Sequence, residues 1–124
     1  MGKEFCYLVD GPGMEPDFPH GSFAHFEWRS TRRLNMGGKY YLEFTDGDRY
    51  FCRVLASPKR GKLVLGKINP DRKRFPDRVI SRRYIERAAL CTGITIPMAV
   101  LEKGIARRPD GFDKRQRGKA VQHG

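Results

Sequence analysis

Lys39-Tyr40-Tyr41-Leu42-Glu43-Phe44-Thr45-Asp46-Gly47-Asp48-Arg49-Tyr50-Phe51-Cys52-Arg53-Val54-Leu55 is the stretch that decides the fold. Two runs rich in aromatic and branched residues, 39–44 and 49–55, flank Asp46-Gly47. Asp-Gly between two such runs is a strong short-range hairpin signal, because glycine supplies the positive φ that a tight turn needs. Working outward, the same grammar repeats. Phe5-Cys6-Tyr7-Leu8-Val9 is an apolar run that stops at Asp10-Gly11-Pro12-Gly13, a turn. Residues 14–21 are broken by Pro16, Pro19 and Gly21, and Phe23–Trp28 reads as a strand. Asn35-Met36-Gly37-Gly38 and Pro58-Lys59-Arg60-Gly61 are turns, the second leading into the strand Lys62–Leu65. Asn69-Pro70-Asp71 opens a loop, and Val79-Ile80 suits a short strand. Within Ile85–Ile96 the first half suits a helix, while Cys91–Ile96 reads as strand. Many short strands with Gly and Pro turns predict a mainly β, single compact domain of short twisted strands.

The chain has 124 residues, enough for one domain over 1–104, followed by a basic, flexible tail over 105–124. It carries 25 Lys and Arg against 14 Asp and Glu. The charge is uneven. Residues 1–28 hold one basic residue against five acidic, 29–101 hold seventeen against six, and 102–124 hold seven against three. A positive field of this kind attracts nucleic acid or an acidic protein surface. The N-terminus shows no secretory pattern, and no apolar run is long enough to cross a bilayer. Three scattered cysteines, Cys6, Cys52 and Cys91, suit reduced thiols in the cytoplasm better than a disulfide framework.

Four blocks, taken in order, resemble the C-terminal domain of LexA-type repressors and UmuD-like proteins, which belong with signal peptidases to the Ser–Lys peptidases. The first is Gly11-Pro12-Gly13-Met14-Glu15-Pro16 with Pro19-His20-Gly21-Ser22, similar to Gly-Asp-Ser-Met-x-Pro and a following Gly-Asp. The second is Gly37–Tyr41, Asp46-Gly47-Asp48 and Phe51-Cys52-Arg53-Val54-Leu55, similar to a Gly-Asp strand, a turn and a Val-Lys-Arg-Leu strand. The third is Leu63-Val64-Leu65 with Asn69-Pro70, and the fourth is Gly93-Ile94. The resemblance spans residues 5 to about 100. It implies the LexA/signal-peptidase-like β fold and a core that both self-associates and binds protein. Neither the repressors' helix-turn-helix domain and cleavable linker nor the signal peptidases' membrane anchor finds a place in this reading.

The departures fall on the chemistry. Gly13 stands where the family has its nucleophilic Ser, and Cys52 where it has its general-base Lys. A serine hydroxyl attacks only when a neighbouring base takes its proton, and lysine does so only when burial lowers its pKa. Glycine offers nothing to attack with. The resemblance therefore implies a degenerate site at Gly13 and Cys52, flanked by Met14, Pro16 and Arg53, with no expected catalytic residue. Pro12 replaces the family's Asp, and Lys67, just before Asn69-Pro70, suits a solvated surface better than a place close to the degenerate site, which is the other reading. Cys52 reads as a small buried residue. The alternative is an active, self-cleaving peptidase with a rearranged site, in which Cys52 is the nucleophile and His20 or His25 its base.

His20 and His25 lack the paired spacing of a zinc site, so no metal and no cofactor are expected. Gly11-Pro12-Gly13 lacks the Lys-Ser/Thr of a phosphate loop. Arg72, Lys73, Arg74, Arg78, Arg82 and Arg83, with Phe75 and Tyr84 nearby, form the candidate nucleic-acid surface; the competing reading packs both aromatics inward on a charged loop. The tail adds Arg107, Arg108, Lys114, Arg115, Arg117 and Lys119. The sequence thus predicts a proteolytically inactive, homodimeric binding module with a protein partner in DNA regulation or repair, nucleic acid as a non-specific ligand and no membrane. A standalone nucleic-acid-binding β protein is the remaining alternative.

Overall fold

A computed structural model describes residues 3–106, with side chains over 3–102. Among the described residues seven strands form one antiparallel sheet in the order β1-β2-β7-β3-β4-β5-β6. In chain order these are β1 (Glu4–Leu8), β2 (Phe23–Arg29), β3 (Lys39–Phe44), β4 (Arg49–Ala56), β5 (Lys62–Gly66), β6 (Arg78–Ser81) and β7 (Ile85–Thr95). A 3-10 turn, Arg82–Tyr84, leads into β7, and helix α1 (Met98–Ala106) follows it. The mainly β expectation holds. The hairpin forms as read, with Tyr41 opposite Phe51. Gly47 takes φ +93°, and the Asp46 side chain accepts the Asp48 amide at 2.9 Å.

The expected helical first half of Ile85–Ile96 is instead strand throughout. Ala88 and Ala89 are fully buried where β7 runs between β2 and β3. Small side chains suit that central position, and pairing on both edges outweighs the local helix preference of alanine. Helix α1 was not foreseen. Pro97 precedes it, and the Pro97 carbonyl accepts the Leu101 amide at 3.1 Å. Val100 then lies so close to Gly21 that any Cβ there would sit 2.9 Å from Val100 Cγ2. Gly21 also takes φ +90°, so both space and backbone demand glycine. The expected domain boundary at 104/105 falls inside α1, and tail residues 107–124 lie outside the described residues.

The pleat sorts side chains into two cores. Tyr40, Leu42, Phe44, Cys52, Val54, Leu63 and Leu65 build one. Val9, Met14, Phe18, Phe26, Tyr41 and Phe51 build the other. The sheet curls, so that Tyr7 of β1 meets Phe51 of β4 with ring centroids 5.9 Å apart. The curl brings the β1–β2 loop against β4 and the segment after β5.

Candidate functional site

The β1–β2 loop starts where β1 ends, at Val9, and is pinned from a distant part of the chain. Asn69 donates its side-chain amide to the Pro12 carbonyl at 2.9 Å and its backbone amide to the Gly13 carbonyl at 2.9 Å. Met14 is buried in the second core, while Pro16 is exposed. The first and third blocks of the resemblance therefore meet in space, although they lie 57 residues apart.

Lys67 enters at the same place. The last β4–β5 pair is Arg53 with Gly66, so one residue further Lys67 comes level with Cys52. Its stem runs under the loop. A Cβ at position 13 would meet Lys67 Cδ at 3.4 Å, Lys67 Cε at 3.5 Å and Phe75 Cε1 at 3.5 Å. Its ammonium donates to the Phe51 carbonyl and sits 4.1 Å from the centre of the Tyr50 ring. The expected solvated lysine is thus half-buried. Glycine at position 13 leaves room for that stem. Burial lowers the Lys67 pKa below its ordinary value, and the nearby positive charge of Arg78 pushes the same way, against the Cys52 thiol.

Cys52 is fully buried, as expected of a small core residue. Burial pushes its thiol up to about 12, and the Lys67 and Arg78 charges offset only part of this. At neutral pH it is a protonated thiol without nucleophilic character. Arg53 points to the opposite face of β4. Its Nε is buried with no hydrogen-bond partner among the described residues. The cluster therefore holds a glycine with no side chain to attack with and a buried, protonated thiol. The nearby lysine is tied to a backbone carbonyl.

Neither histidine pairs with Cys52. His20 Nδ1 accepts the Gly11 amide at 2.8 Å and lies 3.6 Å from Asp10 Oδ1. His25 Nδ1 lies 3.2 Å from Cys6 Sγ and His25 Nε2 lies 2.7 Å from Thr95 Oγ1, on the outward face of β1, β2 and β7. Cys6 is exposed. Among the described residues no three His, Cys, Asp or Glu gather as metal ligands would.

The six candidate nucleic-acid residues are spread over a loop, β6 and the 3-10 turn, and several are already engaged. Arg72 donates to the Asn69 carbonyl at 2.6 Å and pairs with Asp77 at 3.7 Å. Arg74 stacks on Phe75, Arg78 on Tyr50 and Arg83 on Tyr84, at 5.1, 4.8 and 5.1 Å. Phe75 packs inward over Gly13, whereas Tyr84 is exposed. Lys73 is exposed on the loop, and Arg82 projects elsewhere, toward the tip of the β4–β5 hairpin. Residues 59–62 at that tip were read only as a turn and its following strand. Compared with known proteins, the chain matches no family model, no curated protein and no solved structure.

Proposed function

We propose that this protein is a proteolytically inactive relative of the LexA/UmuD-like peptidase core that acts by binding: it self-associates and regulates a partner in a DNA-related setting. One observation carries the reading. Separate stretches of the sequence resemblance, at Gly13, Asn69 and the Phe51–Cys52 strand, gather around the Lys67 side chain. This gathering supports reading the cluster as a former Ser–Lys site with both working groups replaced. At this cluster inactivity follows from chemistry, because Gly13 has no side chain to attack with and burial keeps the Cys52 thiol protonated. Self-association has its own support. The sheet is open at β1 and β6, which leaves two rows of backbone groups unpaired within the sheet. Leu8 and Val79 on these strands are 56% and 59% exposed. Among the described residues no helix is long and apolar enough to cross a membrane, and the three free thiols suit a reducing, cytoplasmic compartment.

Sedimentation velocity of the full chain over a wide concentration range tests the binding role. A dimer is expected, weakened by Leu8→Lys, since an edge lysine opposes strand addition. A chain that stays monomeric at every concentration would overturn self-association.

A further inference from the structure

The tip of the β4–β5 hairpin, the loop between β2 and β3 and the 3-10 turn enclose an open groove of about 390 Å³. It lies at the opposite end of the hairpin from Gly66 and Lys67. Arg32, Lys59, Arg60, Lys62 and Arg82 line it over a partly apolar floor of Leu34, Met36 and Leu63, and no Asp or Glu does. All five cations are exposed, and none has a carboxylate within ion-pair distance among the described residues. This sets them apart from Arg72, which is held by Asp77 and two carbonyls.

The backbone under these cations is fixed. The Arg32 amide donates to Ser30 Oγ at 3.1 Å and the Lys59 amide to Ser57 Oγ at 3.1 Å. The Lys62 amide donates to the Lys59 carbonyl at 3.2 Å and the Arg82 amide to the Gly61 carbonyl at 2.9 Å, which ties the hairpin tip to the 3-10 turn. Charges of one sign around a concave surface focus the field within it. The open shape admits a chain passing through.

We propose that this groove binds the phosphodiester backbone of a nucleic acid. Charge density selects that occupant over an acidic peptide. A duplex carries one negative charge per roughly 1.7 Å of axis, whereas even a fully acidic extended peptide carries one per roughly 3.5 Å. Five cations in one short groove match the denser polymer. Arginine forks also meet phosphate oxygens two at a time, and the apolar floor suits sugar edges. The site is independent of the peptidase-like reading.

Fluorescence anisotropy of the full chain with a labelled single strand and the matching duplex tests it. The variant replaces Arg32, Lys59, Arg60, Lys62 and Arg82 with Gln; the control replaces Arg72, Lys73 and Arg74 with Gln. Matching thermal melts show that both variants fold. Each groove cation that meets a phosphate adds about 0.9 to the salt slope on a duplex and about 0.7 on a single strand. The groove variant is expected to lose a slope of about 3.5 to 4.5, so a roughly hundredfold or greater part of the parent's gain in affinity on a fourfold dilution of salt disappears. The control is expected to keep most of its affinity. Tighter binding of one form identifies it as the source of the backbone. A groove variant that binds like the parent, or a control that loses as much as the groove variant, would overturn the proposal. So would polyglutamate competing as well as nucleic acid at equal charge, which would assign the groove to an acidic protein.

Discussion

Raising the pH from 9 to 12 is expected to remove about 4 kcal/mol of stability through Cys52 alone. A free thiol titrates near 9.0, whereas burial in the folded chain pushes Cys52 up to about 12. Between these values the unfolded chain has released the proton and the folded chain still holds it. Stability therefore falls as pH rises through the window, by about 1.4 kcal/mol per pH unit. The contribution is fully present below 9 and gone above 12. Tyr50, Tyr7 and Cys91, all raised chiefly by burial, act in the same direction. Lys67 acts in the opposite one. Its folded pKa is lowered, so its share of stability rises with pH up to 10.5. Urea unfolding at several alkaline pH values checks both signs. Cys52→Ala should start somewhat less stable and lose most of the decline above pH 9, while Lys67→Met should steepen it. An unchanged decline in Cys52→Ala would show that this thiol is not held protonated by the core.

Phe26→Ala is expected to cost about 3–5 kcal/mol, the usual range for an aromatic deleted from a packed core. Phe26 is fully buried and stands at the middle of the curl. Its ring lies 5.4 Å from Phe5, 5.1 Å from Phe51 and 5.8 Å from Tyr41, centre to centre. These rings come from β1, β4 and β3, and their backbones are fixed by sheet pairing, so the hole cannot collapse. A loss of that size is a large share of a small domain's stability and lowers the melting temperature by roughly 10–25 °C. Phe23 is a control on the same strand. It is 39% exposed, so Phe23→Ala should change the melting temperature little. Equal effects at the two positions would contradict this account of the core.

The strands and hairpin were legible because their signals are local: alternation, aromatic runs and an Asp-Gly turn. The first half of β7 was not. Glu86-Arg87-Ala88-Ala89-Leu90 has local helix preference, and only its place between β2 and β3 makes it a strand. Gly13 and Cys52 were legible as candidates, and Cys52 as a buried residue. For Lys67 the sequence favours the solvated reading over the place beside Gly13 and Cys52, because its surroundings depend on register. Only the pairing of Arg53 with Gly66 brings it level with Cys52, and only the curl lays it beneath Gly13. The cationic groove escaped for a related reason. Its charges come from positions 32, 59–62 and 82, which form no continuous run, whereas the visible run at 72–74 includes Arg72 and Arg74, both already engaged within the fold.

The Gly13–Cys52–Lys67 cluster is expected to be chemically silent. Intact-mass and peptide mass spectrometry of the folded full chain tests it most directly, after long incubation with a serine-acylating probe and, separately, with a haloacetamide. The account predicts an unbroken chain, no acyl adduct, and alkylation at exposed Cys6 while buried Cys52 stays unmodified until the chain is unfolded. Self-cleavage, or alkylation of Cys52 in the folded chain at a rate matching Cys6, would contradict it and point to a working peptidase with a rearranged site.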